Sequence, residues 1–167
     1  ITLTGTGSGS GTSNHGISLI GGIVESLGSG TLSISGTSSV TGSNQTAVEV
    51  ADSSRISTIN SNLSVDGVGN GGTGILVKTN SQIFSSGSGN VALSGLSTTQ
   101  GILAQTTSIL GSATATGNLN FIADTLNLSA TTLRGTGNLT IAPFTAGTTF
   151  TPNLTNIPSG FSSLTLG

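Results

Sequence analysis

The stretch SGSGNVALSG, residues 86–95, decides the fold because the chain repeats its pattern throughout its length. Val91 and Leu93 are separated by a single residue, which would face the opposite side of a strand, and they are preceded by Asn90. Apolar residues with a period of two indicate a β-strand with one buried face, and the flanking glycines and serines are typical of turns. The pattern recurs as GSGTLSISG (28–36), NSNLSVDG (60–67), ATGNLNF (115–121) and GTGNLTI (135–141).

Aligning these stretches predicts stacked strands. The first apolar residues of the units are separated by 20 to 31 residues, and they are Ile1, Leu32, Leu63, Val91, Leu119 and Leu139. The second apolar residues are predicted to form one inward column of Ile34, Val65, Leu93, Phe121 and Ile141. One unit buries too few apolar groups to fold alone, so its stability must come from neighbouring units.

Two further strands are predicted in each unit. The second is seen as GISL (16–19), AVEV (47–50), GILV (74–77), GILA (101–104) and TLNL (125–128). They predict a second inward column of Val48, Ile75, Ile102 and Leu126. The third is weaker and runs through IVESL (23–27), RISTI (55–59), QIF (82–84), SIL (108–110) and TTL (131–133).

The sequence therefore predicts an all-β fold, a parallel β-helix (β-solenoid) with three short strands per coil. The crossover rule for parallel strands favours a right-handed coil. We expect about five coils over residues 1–142, followed by an irregular segment, 143–167, that leads into a strand of the next coil.

An asparagine precedes the first apolar residue in four units, at Asn62, Asn90, Asn118 and Asn138, and Thr31 takes the equivalent place. Asparagines stacked in register can hydrogen-bond along the stack. A structural ladder at a corner is the favoured interpretation, and a polar binding strip is the alternative.

Composition excludes several classes of function. Serine, threonine and glycine make up about half of the 167 residues, there is no cysteine, and the formal net charge is −2. This predicts no disulfide, no thiolate metal site and no nucleic-acid partner. Apolar runs are too short for a membrane span, and no targeting segment is visible. Because the chain opens on ITLTG and closes on SSLTLG, both strand-like, we expect it to be a piece of a longer protein.

Motifs that carry chemistry are weak. GNGGTG (69–74) matches a dinucleotide-binding pattern, but a strand follows where a helix is required, so we predict a turn. His15, the only histidine, is predicted to be a solvated turn residue, and no metal site is expected.

Three carboxylates raise the question of glycoside chemistry, because parallel β-helices include enzymes acting on polysaccharides. Glu49 and Asp52 are close in sequence, Asp52 can pair with Arg55, and Glu25 could approach from the preceding coil. Glycoside hydrolysis needs two carboxyl groups within roughly 5–10 Å. A surface ion-pair group of little energetic weight is the favoured interpretation. We therefore predict no catalytic, cofactor-binding or metal-binding residues and no cofactor.

The last residues break the pattern, because they hold all three prolines, Pro143, Pro152 and Pro158. Three of the five phenylalanines, Phe144, Phe150 and Phe161, are also there. An irregular flap covering an apolar side or end of the coil is favoured, and an exposed aromatic patch for a partner is the alternative.

Repeats such as SGSGNVALSG (86–95), GTGILV (72–77) and SQIFSSGSG (81–89) resemble bacterial exoproteins of the filamentous-haemagglutinin type. The ending LTIAPFTAGTTFTPNLTNIPSGFSSLTLG (139–167) also resembles an element of these proteins. The resemblance implies a β-helical adhesin at the bacterial outer surface or secreted. It assigns no functional residue to this chain.

These observations predict a structural and adhesive rod segment that is not an enzyme. It would act through rigidity and many weak contacts. Its expected partners are the remainder of a larger surface protein and glycans of a host or neighbouring cell surface or matrix. Two alternatives stay open: a polysaccharide-active or polysaccharide-binding β-helix (a lyase or hydrolase, or a phage-spike-like binder), and an ice-binding solenoid suggested by Thr2, Thr4 and Thr6.

Overall fold

The computed structural model describes residues 1–41, 44–105, 107–148, 150, 152–154, 157 and 159–167. Over these residues there is no helix, and hence none long and apolar enough to cross a membrane. The strands, numbered along the chain, are β1 Thr2–Gly7, β2 His15–Ile20, β3 Ile23–Ser26, β4 Leu32–Ser38, β5 Thr46–Ala51, β6 Arg55–Thr58, β7 Leu63–Gly69, β8 Thr73–Val77, β9 Gln82–Ser85, β10 Val91–Leu96, β11 Gln100–Ala104, β12 Ile109–Gly111, β13 Leu119–Ala123, β14 Leu126–Asn127, β15 Thr132–Arg134, β16 Asn138–Ala142 and β17 Ser163–Leu166.

These strands form three parallel sheets, one for each strand of the repeat. Sheet 1 has seven strands in the order β1-β4-β7-β10-β13-β16-β17, sheet 2 runs β2-β5-β8-β11-β14, and sheet 3 runs β3-β6-β9-β12-β15. Each strand pairs with the equivalent strand one turn away. The predicted β-solenoid with three strands per coil is confirmed, and it makes about six turns. The right-handed sense of the coil stays a prediction.

Both predicted inward columns are confirmed. Leu93 pairs with Val65 on one side and Phe121 on the other, and all three are fully buried. In sheet 2, Ile75 lies between Val48 and Ile102 in the same way. The unequal unit lengths leave these registers intact because the turns absorb the difference. The interior is one continuous apolar cluster from Leu32 to Ile141.

In the second, third and fourth turns the corner between sheets 1 and 2 is too tight for side chains. Gly36, Gly67 and Gly95 share one column, and a Cβ at each would lie 2.1–2.2 Å from a backbone carbonyl oxygen of sheet 2. Real Cβ atoms do not approach oxygen so closely, so glycine is required here for space.

The corner between sheets 2 and 3 is closed by buried serines. Ser54, Ser81 and Ser108 are completely buried, and each follows left-handed backbone, as at Asp52 with φ 57°. The Ser54 N–H donates to Ser81 Oγ at 3.2 Å, and Ser108 Oγ donates to the Val77 carbonyl at 3.1 Å. Because the chain turns sharply at this corner, some backbone groups there have no partner in the neighbouring strands. The serine hydroxyls form hydrogen bonds with these groups instead.

The described residues between 143 and 162 belong to an irregular sixth turn that begins with β16. Asn153 bridges to Asn127 at the edge of sheet 2, and its N–H donates to the Leu126 carbonyl at 2.9 Å. Phe150, Leu154 and Phe161 pack against the core. The chain then re-enters sheet 1 as β17, which pairs in parallel with β16.

Candidate functional site

Sheet 1 has the most strands of the three sheets, and we call its outer side the hydroxyl face. Along β4 the burial alternates, so that Leu32 and Ile34 point inward while Ser33 and Ser35 point outward. Parallel register carries this alternation through the sheet, with neighbouring strands about 4.8 Å apart. The columns are Thr2, Ser33, Ser64, Ala92, Asn120, Thr140 and Thr165, then Thr4, Ser35, Asp66, Ser94, Ile122 and Ala142, then Thr6, Thr37, Val68 and Leu96.

The hydroxyl face offers small hydrogen-bonding groups and little charge. Asp66 is the only charged residue in the strands of sheet 1, and it accepts a hydrogen bond from Ser64 Oγ at 2.8 Å. Thr2, Thr4 and Thr6 all point outward on β1 beside Ser33, Ser35 and Thr37. Such a surface can make many weak, neutral hydrogen bonds to a hydroxylated partner.

A groove of about 580 Å³ lies at the end of the hydroxyl face nearest sheet 2. Val68 and Leu96 form its apolar part, and Asn70 and Asp124 lie at its margin. Asp124 accepts hydrogen bonds from Thr145, from Oγ1 at 2.7 Å and from the backbone N–H at 2.6 Å. These two bonds hold the pKa of Asp124 below its ordinary value. The carboxylate therefore anchors the sixth turn.

The predicted structural asparagine ladder is confirmed, although its bonds run to the backbone. Asn62 Oδ1 accepts the N–H of Asn90 at 2.9 Å, Asn90 Oδ1 accepts that of Asn118 at 2.8 Å, and Asn118 Oδ1 accepts that of Asn138 at 3.0 Å. Ser163 Oγ then donates to Asn138 Oδ1 at 2.9 Å. Each side chain thus ties one turn to the next at the corner before sheet 1.

Asn118→Ala is expected to lower the free energy of unfolding by about 1 kcal/mol, because the Asn138 N–H loses its acceptor. Asn120→Ala is the matched control, since Asn120 lies two residues later on the hydroxyl face. Urea denaturation of both variants measures the difference. Equal losses would show that the ladder does not stabilise the stack.

Glu49 is the centre of a charged cluster that joins three turns. It is 6% exposed, although it lies on the outer side of β5. Lys78 Nζ is 2.8 Å from Oε1, Ser18 Oγ donates to Oε2 at 2.9 Å, and His15 Nε2 is 3.6 Å from Oε2. Glu49 does belong to an ion-pair group, but the prediction that this group lies at the surface is wrong for Glu49, which is buried. Parallel register places Ser18 beside Glu49, and Lys78 follows the next strand of the sheet.

Burial alone would raise the pKa of Glu49. Hydrogen bonds from Lys78 and Ser18, with the charges of Lys78 and His15, outweigh burial and hold the pKa below its ordinary value of 4.5. The ionised form is thus favoured by folding, and Glu49 stabilises the folded chain above pH 4.5. This contribution is lost as the pH falls through the folded-state pKa.

Glu49→Gln is expected to lower stability at pH 7 and to reduce the further loss between pH 4.5 and pH 3, because Gln carries no ionisable group. The measurement is the urea midpoint of both proteins at each pH. Asp52→Asn is the control, since Asp52 is exposed and outside the cluster. Identical pH profiles for wild type and Glu49→Gln would contradict this role. Asp124, whose pKa is also lowered, accounts for part of the remaining acid sensitivity.

The predicted grouping of Glu25, Glu49, Asp52 and Arg55 does not form. Arg55 is beside Ile23 in the parallel register, so its guanidinium reaches Glu25, at 3.1 Å, and not Asp52. Glu25 belongs to sheet 3 and Glu49 to sheet 2. Among the described residues there is no group of three acidic, histidine or cysteine side chains that could hold a metal ion.

Two smaller predictions have different outcomes. GNGGTG (69–74) contains, as predicted, a turn, which joins the end of β7 to the start of β8. The prediction that His15 is a solvated turn residue is wrong, because it is the first residue of β2 and is half-buried against Glu49. Its pairing with Thr46 of the next turn draws it into the sheet.

The aromatic residues of the sixth turn divide between two environments. Phe150 and Phe161 pack against the core, and the Phe161 ring lies over Gly135. Phe144 is 41% exposed. Pro158 lies outside the described residues. Two of the three rings, those of Phe150 and Phe161, therefore help to cover the last regular turn.

Comparison of the chain with protein-family models, with curated proteins and with solved structures found no match.

Proposed function

We propose that the chain is a passive, rigid rod segment of a secreted or cell-surface bacterial exoprotein, and that it contributes to adhesion through many weak contacts. The observation that supports this most directly is the unbroken register of sheet 1 through seven strands. A surface that repeats in register presents outward side chains at regular intervals, which suits multivalent binding.

Rigidity follows from how the turns are joined. Successive turns share parallel backbone ladders in three sheets, a continuous core, the asparagine ladder and the buried serines. Because each turn contacts its neighbours on every side of the coil, bending requires many of these contacts to open together. Such a segment can hold other parts of a surface protein at a fixed distance.

The hydroxyl face is the proposed adhesive surface, and glycans of a cell surface or matrix are the proposed partners. Ser33, Ser35 and Thr37 are half-buried side chains held on a strand, so they lose little conformational freedom on binding. Individual bonds of this kind contribute about 0.5–1.5 kcal/mol, and attachment therefore depends on their number.

The proposal is tested by attachment of beads coated with the chain to glycan-bearing surfaces. The double variant Ser33→Lys/Ser35→Lys should reduce attachment at least tenfold, because long cations cover the hydroxyl face. Thr132→Lys, on an exposed position of sheet 3, is the matched control and should attach like wild type. Equal attachment of the double variant and the control would place adhesion elsewhere, and no attachment of wild type to any surface would overturn the adhesive role.

A separate experiment tests the proposal that the chain has no catalytic activity. The purified chain should release no reducing or unsaturated ends from a panel of neutral and anionic polysaccharides. Turnover that disappears in Glu49→Gln, with the fold retained, would overturn the rod proposal in favour of an enzyme.

One observation favours a second candidate, ice binding. Thr2, Thr4 and Thr6 project from β1 beside the hydroxyls of β4, and the sheet register is regular despite the unequal repeat lengths. The array is interrupted at Asp66 and Val68 in the third strand. Thermal hysteresis of the purified chain distinguishes the two functions, and the rod proposal expects none.

A further inference from the structure

A slot lies on the outer side of sheet 3, between β9 and β15. Burial alternates along β9, so Ile83 points inward while Phe84 points outward and is half-buried. On β15, Leu133 likewise points inward, and Arg134 points outward and is exposed. The strand between them, β12, contributes Gly111 to the same column, since Gly111 pairs with Arg134 and the register of β9 and β12 brings Phe84 beside it. Phe84 and Arg134 therefore lie on either side of a position that has no side chain.

The gap between the two side chains is fixed by the backbone. Gly111 has a φ of 85°, and a Cβ there would lie 1.9 Å from the Arg134 carbonyl oxygen. Only glycine fits this position, so the gap cannot be filled by substitution. Phe84 and Arg134 are two strands apart, which separates their Cα atoms by about 10 Å.

The slot has a volume of about 180 Å³, and Ile109 and Gln82 form its side. These two residues face each other in the parallel register of β12 and β9 and belong to the neighbouring outward column. The volume is close to that of about six water molecules in the liquid, which suits one sugar ring.

Arg134 is the cation of this slot, and its charge is not neutralised. The other arginine of sheet 3, Arg55, reaches Glu25 at 3.1 Å, and Lys78 reaches Glu49 at 2.8 Å. Arg134 makes no ion pair with any described residue. Residues 135–162, which lead into and through the sixth turn, contain no acidic residue that could pair with it.

The slot thus combines an aromatic face, an unpaired guanidinium and an amide. An aromatic ring presents a flat apolar surface, which can pack against the C–H groups of a sugar ring. A guanidinium binds a carboxylate through two parallel N–H donors. The Gln82 amide both donates hydrogen bonds to hydroxyl groups and accepts them. A sugar ring that carries a carboxylate has all three matching groups.

We propose that this slot of Phe84, Gly111 and Arg134 binds uronate units of an acidic glycan. The Arg134 guanidinium donates two hydrogen bonds to the carboxylate, the sugar ring packs against Phe84 above Gly111, and the Gln82 amide bonds a sugar hydroxyl. An apolar wall with a few polar groups that fix the orientation of the ligand is the usual construction of a small-molecule site.

The slot is separate from the hydroxyl face in position and in chemistry. It lies on sheet 3, whereas the strands of sheet 1 contain no cation. The inference goes beyond the proposed adhesive role and does not depend on it. Ser33→Lys/Ser35→Lys should leave uronate binding at the slot unchanged. Attachment of beads to neutral glycans, which offer no carboxylate to Arg134, should not depend on the slot.

NMR titration of the isotope-labelled chain with two methyl glycosides tests the proposal. Methyl glucuronide has a carboxylate where methyl glucoside has a hydroxymethyl group, and the two are otherwise alike. The glucuronide should shift the amide signals of Phe84 and Gly111 and should bind about tenfold more tightly than the glucoside, or better. Equal affinities, or shifts confined to other parts of the chain, would overturn the proposal.

Arg134→Gln should weaken glucuronide binding about tenfold or more without disturbing the fold, because Arg134 is exposed. Arg55→Gln is the matched control, since it removes the same charge from the same sheet, but Arg55 is already engaged by Glu25. It should bind the glucuronide like wild type. Equal losses in the two variants would show that only the net charge matters and would contradict the site.

Phe84→Leu tests the contribution of the aromatic ring. It keeps an apolar side chain but loses the flat face, so glucuronide binding should fall severalfold. Acetate has the carboxylate without a sugar ring, and it should bind this variant and wild type equally weakly. If acetate binds wild type as tightly as the glucuronide does, the slot is a simple anion site and the sugar assignment is wrong.

Discussion

Leu93→Asp is expected to lower the free energy of unfolding by about 3–5 kcal/mol, enough to unfold much of the stack. Leu93 is fully buried and lies between Val65 and Phe121 in the inward column of sheet 1. A carboxylate there would have apolar neighbours on both adjacent turns and no cation within the column. It must either stay ionised without a partner or take up a proton, and both are costly.

Ser94→Asp is the control for this prediction. Ser94 is the next residue, points outward and is half-buried, with Asp66 and Ile122 as its neighbours across the sheet. The new carboxylate would lie beside Asp66, and repulsion between solvated charges of this kind costs about 1 kcal/mol or less. Urea denaturation should therefore separate the two variants clearly. Equal losses of stability would mean that the assigned inward face is wrong.

The strands could be predicted from the sequence because each depends on local alternation. Val91 and Leu93 are identified by their spacing alone, and alignment of equivalent residues then predicts which side chains share a column. The same alignment placed Asn90 beside Asn118. It could not show that the Asn90 side chain binds a backbone N–H, since this depends on how far the chain turns at the corner.

The Glu49 cluster could not be predicted in the same way. The partners Lys78 and His15 belong to the turns on either side, and their reach depends on the register of sheet 2 together with side-chain conformation. Counting along β8 from Leu76, the partner of Glu49, would have shown Lys78 two residues on. Proximity in sequence pointed instead to Asp52, which lies beyond the end of β5.

The buried serines of the second corner were missed for a different reason. Ser54, Ser81 and Ser108 recur at a constant interval, each followed two residues later by Ile56, Ile83 or Leu110. The interval was available, but in a chain with so many serines it does not stand out. Only their complete burial and their bonds to carbonyls distinguish them from turn residues.

Gly95→Ala is expected to be the other strongly destabilising change, although it adds a single methyl group. The new Cβ would lie 2.2 Å from the Gly101 carbonyl oxygen and 2.6 Å from Ile102 Cγ1. Neither neighbour can yield easily, because Ile102 is fully buried and β11 is bonded to β8 and β14 on its two sides. Relief would require sheets 1 and 2 to separate at this corner, and we expect a loss of about 3 kcal/mol.

The fifth turn shows what such relief requires. Ala123 takes the place of Gly95 in the next strand, where β14 is only two residues long, so a Cβ is accommodated beside a short strand. Gly28→Ala is the matched control, because it is the same substitution at an exposed turn with no atom within 4 Å of the new Cβ. It should leave stability unchanged or raise it slightly, since alanine restricts the unfolded chain more than glycine does. Urea denaturation compares the stabilities of the two variants. If Gly95→Ala is as stable as Gly28→Ala, the distance from the new Cβ to the Gly101 carbonyl oxygen must be longer than 2.2 Å, and the prediction is wrong.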